Sequence, residues 1–211
     1  MKKIKLDNEF RYGESLISRK RLEFLARKCR KTLEKVPGNV LEVGIYKGGS
    51  LLVLAEVLKK VDPEYKLHAI DTFTGHPYTD YHPMHPAGRY SDVSKKGIEK
   101  LVEEKKLGKW VEIYQGKVEE IFNSLNLKEV SFAHIDCDLY IPVKFCAENV
   151  PKIMNTGGVI YFDDYGHKHC PGATRAVNEV YDKAKIRRIR IKNDDTLNGQ
   201  VETNWAAYVR L

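Results

Sequence analysis

Hydrophobic positions along the chain alternate between a helical and a strand period. From Glu14 to Lys35 the apolar residues Leu16, Ile17, Leu22, Leu25, Ala26, Cys29 and Leu33 recur at helical spacing until Pro37-Gly38 stops the run. This predicts an opening helix. Strand patterns follow at Asn39 to Ile45, Lys66 to Thr72, Trp110 to Gln115 and Val130 to Asp136, with helical patterns between them at Gly49 to Lys60, Asp92 to Lys106 and Val118 to Leu125. Pro142 to Met154 reads as a helix that begins with its proline. Gly157-Gly158 then turns into the apolar run Val159 to Phe162, followed by a helix from about Ala173 to Ala184 and closing strands near Ile186 to Lys192 and Asn204 to Leu211. Repeated strand, helix, strand units predict an α/β fold with a doubly wound, mostly parallel sheet of seven strands.

Composition bounds this picture. The 211 residues, 42% hydrophobic and 31% charged, suit a single domain over 1–211 and exclude a disordered or fibrous chain. Apolar stretches such as Leu51 to Leu58 fall well short of the ~18 residues of a membrane span, and Met-Lys-Lys-Ile-Lys leads into no apolar signal region. A soluble, cytoplasmic protein is expected. Cys29, Cys137, Cys146 and Cys170 form no CxxC pair and read as free thiols of a reducing compartment.

The net charge of +7 is concentrated at the start, where Met1 to Lys35 holds 12 basic and 5 acidic residues, so that 1–37 reads as a basic helical segment. A solvated helix accounts for this count. A nucleic-acid surface is the lesser alternative, because no aromatic or glycine signature of a nucleic-acid module accompanies it. Lys183 to Lys192 adds six cations and no acid, with Arg188, Arg190 and Lys192 opposite Ile189 and Ile191 as on a strand with one wet face.

The ends of the predicted strands carry the chemistry, because open α/β sheets bind ligands at their carboxyl edge. Glu42-Val-Gly44-Ile-Tyr-Lys-Gly48-Gly49-Ser50 joins the first strand to its helix, with glycines that let backbone approach a ligand and a helix start offering free N–H groups. The spacing ExGxxxGxS is neither a GxGxxG dinucleotide turn nor a P-loop. Asp71, ending the second strand, is placed to accept ribose hydroxyls or to cap the turn that follows it. A second group follows strands four and five, where Asp136, Asp138, Asp163 and Asp164 converge on one edge. Helix capping explains one or two of these acids. Four carboxylates crowded together call for a hard cation such as Mg²⁺ or Mn²⁺.

The first of these stretches resembles motif I of S-adenosylmethionine-dependent methyltransferases. That resemblance implies a Rossmann-like class I methyltransferase fold, with Glu42, Gly44, Gly48 and Ser50 along the methionine portion, Asp71 at the ribose, and Gln115, Gly116 and Lys117 near the adenine. From about Gly38 to Asp182 the chain is similar to the macrocin O-methyltransferase (TylF-like) family. The most specific elements are Asp136-Cys-Asp-Leu-Tyr140, Gly157-Gly-Val-Ile-Tyr-Phe-Asp-Asp-Tyr-Gly166 and Cys170-Pro-Gly-Ala-Thr-Arg-Ala-Val-Asn-Glu-Val180.

The family resemblance implies methylation of a sugar hydroxyl with S-adenosylmethionine and Mg²⁺, in natural-product biosynthesis. Asp136, Asp163 and Asp164 would then be metal ligands and Asp138 the general base. A catechol-type O-methyltransferase is an alternative with the same acid arrangement, but the DxDLY and CPGA elements fit the sugar-modifying family better. A nucleic-acid methyltransferase and a non-catalytic cofactor-binding protein are the competing classes.

The stretch 72–91 holds His76, Tyr78, Tyr81, His82, His85, Arg89 and Tyr90, a composition suited to a lid over a polar acceptor. His82 with His85, and His167 with His169, supply only two ligands each, too few for zinc. His134 suits either the acidic site or a strand interior, and Tyr140 and Tyr165 suit either the acceptor pocket or the core. The resemblance leads one to expect additional amino-terminal helices, often used by the family for substrate enclosure and homo-oligomer contacts, and against that expectation the chain is short at this end.

Overall fold

The computed structural model describes residues 15–61, 64–80, 82–197 and 200–211, with side chains except those of 190–205. Expectations for the first residues, Glu14, Tyr81 and the side chains of Arg190, Ile191 and Lys192 lie outside the described residues. The elements run α1 (Arg19–Leu33), β1 (Asn39–Val43), α2 (Gly49–Val61), β2 (Leu67–Asp71), α3 (Lys95–Glu104), β3 (Val111–Gln115), α4 (Val118–Ile121), β4 (Val130–Ile135), α5 (Tyr140–Asn149), β5 (Met154–Phe162), α6 (Pro171–Val180), β6 (Arg187–Leu197) and β7 (Gln200–Arg210). Short 3-10 turns extend α4 over Phe122–Leu125 and α5 over Val150–Ile153.

The strands form one seven-stranded sheet in the order β3-β2-β1-β4-β5-β7-β6. The first five strands are parallel, and β7 pairs antiparallel with β5 and with β6. The chain leaves β1 toward β2 on one side and returns to β4 on the other, so the crevice of the doubly wound fold opens at the carboxyl ends of β1 and β4. Helices cover both faces. One core packs Leu22 and Leu25 of α1 and Leu51 to Leu54 of α2 on Val40, Phe132 and Val159, and the other packs Val143 of α5 and Ala173 of α6 on Leu41, Ile135 and Ile160. No helix among the described residues is long and apolar enough to cross a membrane.

Two boundaries differ from the sequence reading for local reasons that matter to the site. Strand β1 ends at Val43 rather than Ile45, because Gly44 (φ +93°) and Tyr46 (φ +45°) turn the chain out of the sheet. Helix α5 begins at Tyr140, two residues before its proline. The carboxylate of Asp80, in the 72–91 stretch, accepts the Tyr140 N–H at 2.8 Å and supplies the cap from outside the helix.

Candidate active site

A cleft of about 330 Å³ lies at the carboxyl edge of β1, β2, β4 and β5, within the size range of small-molecule sites. Stretch 72–91 folds over it through His76, His85 and Tyr90, and α1 closes one side with Arg21.

The half of the cleft beside β1 and β2 is built largely from backbone. A Cβ on Gly44 would stand 1.9 Å from the carbonyl oxygen of Asp136, so glycine is required there for the close approach of the β1 and β4 ends. Asp71 organises the same turn. Its Oδ2 accepts the N–H groups of Ile45 (2.7 Å) and Tyr46 (3.0 Å), and its Oδ1 accepts that of Phe73 (2.8 Å). The carboxylate therefore ties the β1 turn to the end of β2 and also caps its own turn.

Gly44, Ser50, Asp71, Gly116 and Lys117 line the cleft. Glu42, Gly48 and Gln115 are not on its wall. Glu42 follows the strand alternation into the interior beneath α1, fully buried, where its Oε1 meets His134 Nδ1 at 3.0 Å. Gly48 (φ +83°) turns the chain against Leu101, and the Gln115 amide donates to the Thr72 carbonyl at 3.3 Å.

The half beside β4 and β5 is built from side-chain charge. Asp136, Asp138, Asp163 and Asp164 all line the cleft, as the two-residue spacing and the parallel register require. The consecutive acids of β5 then divide their contacts. Asp163 forms a buried ion pair with Arg21 of α1, and one of its oxygens lies within 4.8 Å of donor atoms of Asp136 and His134. Asp164 instead accepts the Asp138 N–H at 3.0 Å and groups with Asp138 and Cys170. That hydrogen bond holds Asp138 at φ +60°, a left-handed conformation uncommon outside glycine.

Burial, then repulsion from Asp164 and Asp138, pushes the Asp136 carboxyl well above the usual range. Burial and Asp138 push Asp164 up to about 7. Burial also acts to raise Asp138, but the hydrogen bond from His76 and the charges of His76 and His85 outweigh it and hold this acid below its ordinary value. Tyr90, its ring edge-on to His76, is pushed up to about 12 by burial and by Asp138.

The Asp138 partners were not legible in the sequence. His76 Nε2 lies 3.0 Å from Asp138 Oδ2 across 62 residues, and Cys170 Sγ donates to Oδ1 at 3.4 Å. Arg21 is a further unforeseen member, hidden among the cations of the opening helix. His134 is fully buried, with Nδ1 on Glu42, so it stands behind the acidic edge rather than in the cleft. Tyr140 and Tyr165 do not line the cleft either. The Tyr140 hydroxyl donates to Glu179 at 2.7 Å, and Tyr165 is a core residue whose hydroxyl donates to Asn178 at 2.9 Å.

Comparison with solved structures identifies the fold. The chain superimposes on the O-methyltransferase NovP with a TM-score of 0.75 at 21% identity, covering 93% of this chain and 81% of that one. For CalS11, a calicheamicin methyltransferase, the TM-score is 0.69 at 21% identity, with 92% and 80% covered. For an O-methyltransferase from Bacillus cereus in complex with SAH it is 0.62 at 16% identity, with 92% and 82% covered. The architecture is the Rossmann-like fold of class I methyltransferases. No curated protein matches the chain in sequence. The family model of the macrocin O-methyltransferases matches residues 3–196, nearly the whole chain, and with the glycine turn of β1 and the paired acids of β4 and β5 on one cleft the chain belongs to the macrocin O-methyltransferase (TylF) family.

Proposed function

We propose that the chain transfers the methyl group of S-adenosylmethionine to a hydroxyl of a sugar-containing or polyhydroxylated small molecule, with a divalent cation, Mg²⁺ by its ligand chemistry, at the acidic edge. The observation that carries this reading is the shared cleft: the β1 turn with Asp71, and the acids of β4 and β5, open onto one volume. NovP and CalS11 are named as methyltransferases, CalS11 also as a TDP-rhamnose 3'-O-methyltransferase, and a sugar acceptor is proposed here by that likeness and by the family.

Asp71, Gly44 and Ser50 would hold the cofactor, with Gly116 and Lys117 beyond them. The acidic edge fits a cation because Asp136, Asp163 and Asp164 line one cleft, and burial together with the charge of Asp164 pushes the Asp136 carboxyl up, which a bound cation would offset. Asp136 and Asp164 would hold it, with Asp163 as third carboxylate despite the guanidinium of Arg21 on one of its oxygens. A bound divalent ion lowers the pKa of an attached hydroxyl and fixes its orientation.

Asp138 accepts the hydroxyl proton. Its low pKa keeps it ionised, and His76 at 3.0 Å both orients it and shares the proton it gains. Stretch 72–91, pinned by the His76 N–H to the Arg89 carbonyl (2.8 Å) and the Gly88 N–H to the His76 carbonyl (2.9 Å), carries His76 in a buried position beside Asp138.

Calorimetry tests the reading. S-adenosylhomocysteine should bind the chelated protein, and Mg²⁺ should bind wild type but not Asp164→Ala. A chain that takes up no S-adenosylhomocysteine overturns the proposal.

A further inference from the structure

Rows of residues cross the sheet beneath α1, and their character changes toward the cleft. Val40, Phe132 and Val159 stand side by side on β1, β4 and β5 as an apolar row. Two residues further along each strand, on the same face, come Glu42, His134 and Tyr161, each 0% exposed. Two residues further again come Gly44, Asp136 and Asp163, on the wall of the cleft. A fully buried polar row thus stands between the core and the acidic edge.

This row is only partly satisfied from within. Glu42 Oε1 meets His134 Nδ1 at 3.0 Å, and the His134 and Tyr161 rings lie 5.7 Å apart. Glu42 Oε2, His134 Nε2 and the Tyr161 hydroxyl have no hydrogen-bond partner among the described residues. Buried polar atoms are rarely left so, and apolar side chains like those of the row behind would fill the space under α1 without leaving any. A carboxylate accepts, so Nδ1 carries the hydrogen shared with Glu42, and Nε2 is the ring nitrogen left to act. A ring nitrogen of His134 lies within 4.8 Å of carboxylate oxygens of both Asp136 and Asp163, a span that one bridging water closes. Asp163 is already held by the guanidinium of Arg21. His134 is the buried group that can do the same for Asp136.

We infer that His134 is a positioning residue for Asp136: Glu42 fixes the ring through Nδ1, and Nε2 holds the carboxylate toward the cleft. With Arg21 on Asp163, each of the two acids on this face of the sheet then has its own support. The contact itself needs no metal. That it presents Asp136 to a cation rests on the proposed function.

Amide substitutions separate the two ring nitrogens. His134→Gln sets a polar group where Nε2 stood, and His134→Asn sets one where Nδ1 stood. Mg²⁺ titrated calorimetrically into the chelated full chain should bind His134→Gln close to wild type and His134→Asn at least about tenfold more weakly. S-adenosylhomocysteine should bind all three alike. Equal Mg²⁺ affinity in the two variants, or the opposite order that a purely structural Glu42–His134 pair requires, overturns the assignment. Ring-nitrogen NMR of the full chain with labelled histidine depends neither on those variants folding nor on metal. The His134 signals, recognised by contact with the Tyr161 ring, should shift in Asp136→Asn and stay in place in Asp138→Asn. Signals unmoved in Asp136→Asn overturn the contact. A wild-type chain that takes up S-adenosylhomocysteine but no Mg²⁺ would overturn the cation of the proposed function, and the nitrogen signals would still decide the role of His134.

Discussion

Asp71 and Asp164 are both acids at the carboxyl edge of the sheet, and the structure treats them in opposite ways. Asp71 accepts three backbone N–H groups, which fix the β1 turn against β2. Asp164 accepts one backbone N–H, from Asp138, and otherwise faces a second carboxylate and a thiol. The cofactor half of the cleft is therefore satisfied from within the chain. In the acidic half, carboxyl groups are held above their ordinary range by burial and mutual repulsion. One half is an organised cradle, and the other, on the proposed function, would be organised by a cation.

The largest effect that sharpens this contrast is on turnover. Asp138→Ala should lower kcat by about 10² to 10⁴, the usual contribution of a positioned general base, while S-adenosylhomocysteine affinity changes little. Steady-state kinetics beside calorimetry checks both. An equal loss in binding would dissolve the division into halves.

Gly44 joins the two halves, so Gly44→Ala should break them together. A methyl group 1.9 Å from the Asp136 carbonyl at φ +93° forces β1 and β4 apart. The expected loss is about 1–3 kcal/mol or more in urea unfolding, with cofactor and metal binding both weakened. Asp71→Asn should act on one half only. Losing the charge behind three N–H bonds should cost about 1–3 kcal/mol and weaken S-adenosylhomocysteine, with Mg²⁺ binding retained.

The smallest effect is a pH slope. Asp164 keeps its proton up to about 7 in the folded chain, against an ordinary 3.8. Between these values the folded state binds more protons than the unfolded one, so the stability of the metal-free protein falls as pH rises through this window. Mg²⁺ competes with that proton, and its affinity should rise over the same window and level off above about 7. Thermal melts from pH 4 to 8 should show the slope in wild type and a weaker one in Asp164→Asn. A metal-free protein whose stability rises from pH 4 to 7, with no change in Asp164→Asn, would remove the crowding argument.

Much of the architecture was legible because hydrophobic periodicity is a local property. The two-residue spacing of Asp136 and Asp138, and the Asp163-Asp164 pair after an apolar run, place four acids on one edge once the strands are parallel neighbours. Glu42 shows what the motif leaves out. The motif puts it beside the cofactor, but strand alternation turns it beneath α1 onto His134. Helix capping was open to one or two of the four acids, but the cap at the start of α5 comes from Asp80, some sixty residues earlier.

By itself the sequence determined the order and type of elements and the glycine turn, since each depends on residues within a few positions of one another, and the repeated strand, helix, strand order carried the parallel sheet and its acidic edge. Tertiary structure alone decided that Arg21 meets Asp163, that His76 orients Asp138, and that Cys170 faces His85. Those contacts join segments 62 to 142 residues apart. No periodicity or spacing records such contacts, because they exist only once the chain has folded α1 and the 72–91 stretch onto the ends of the strands.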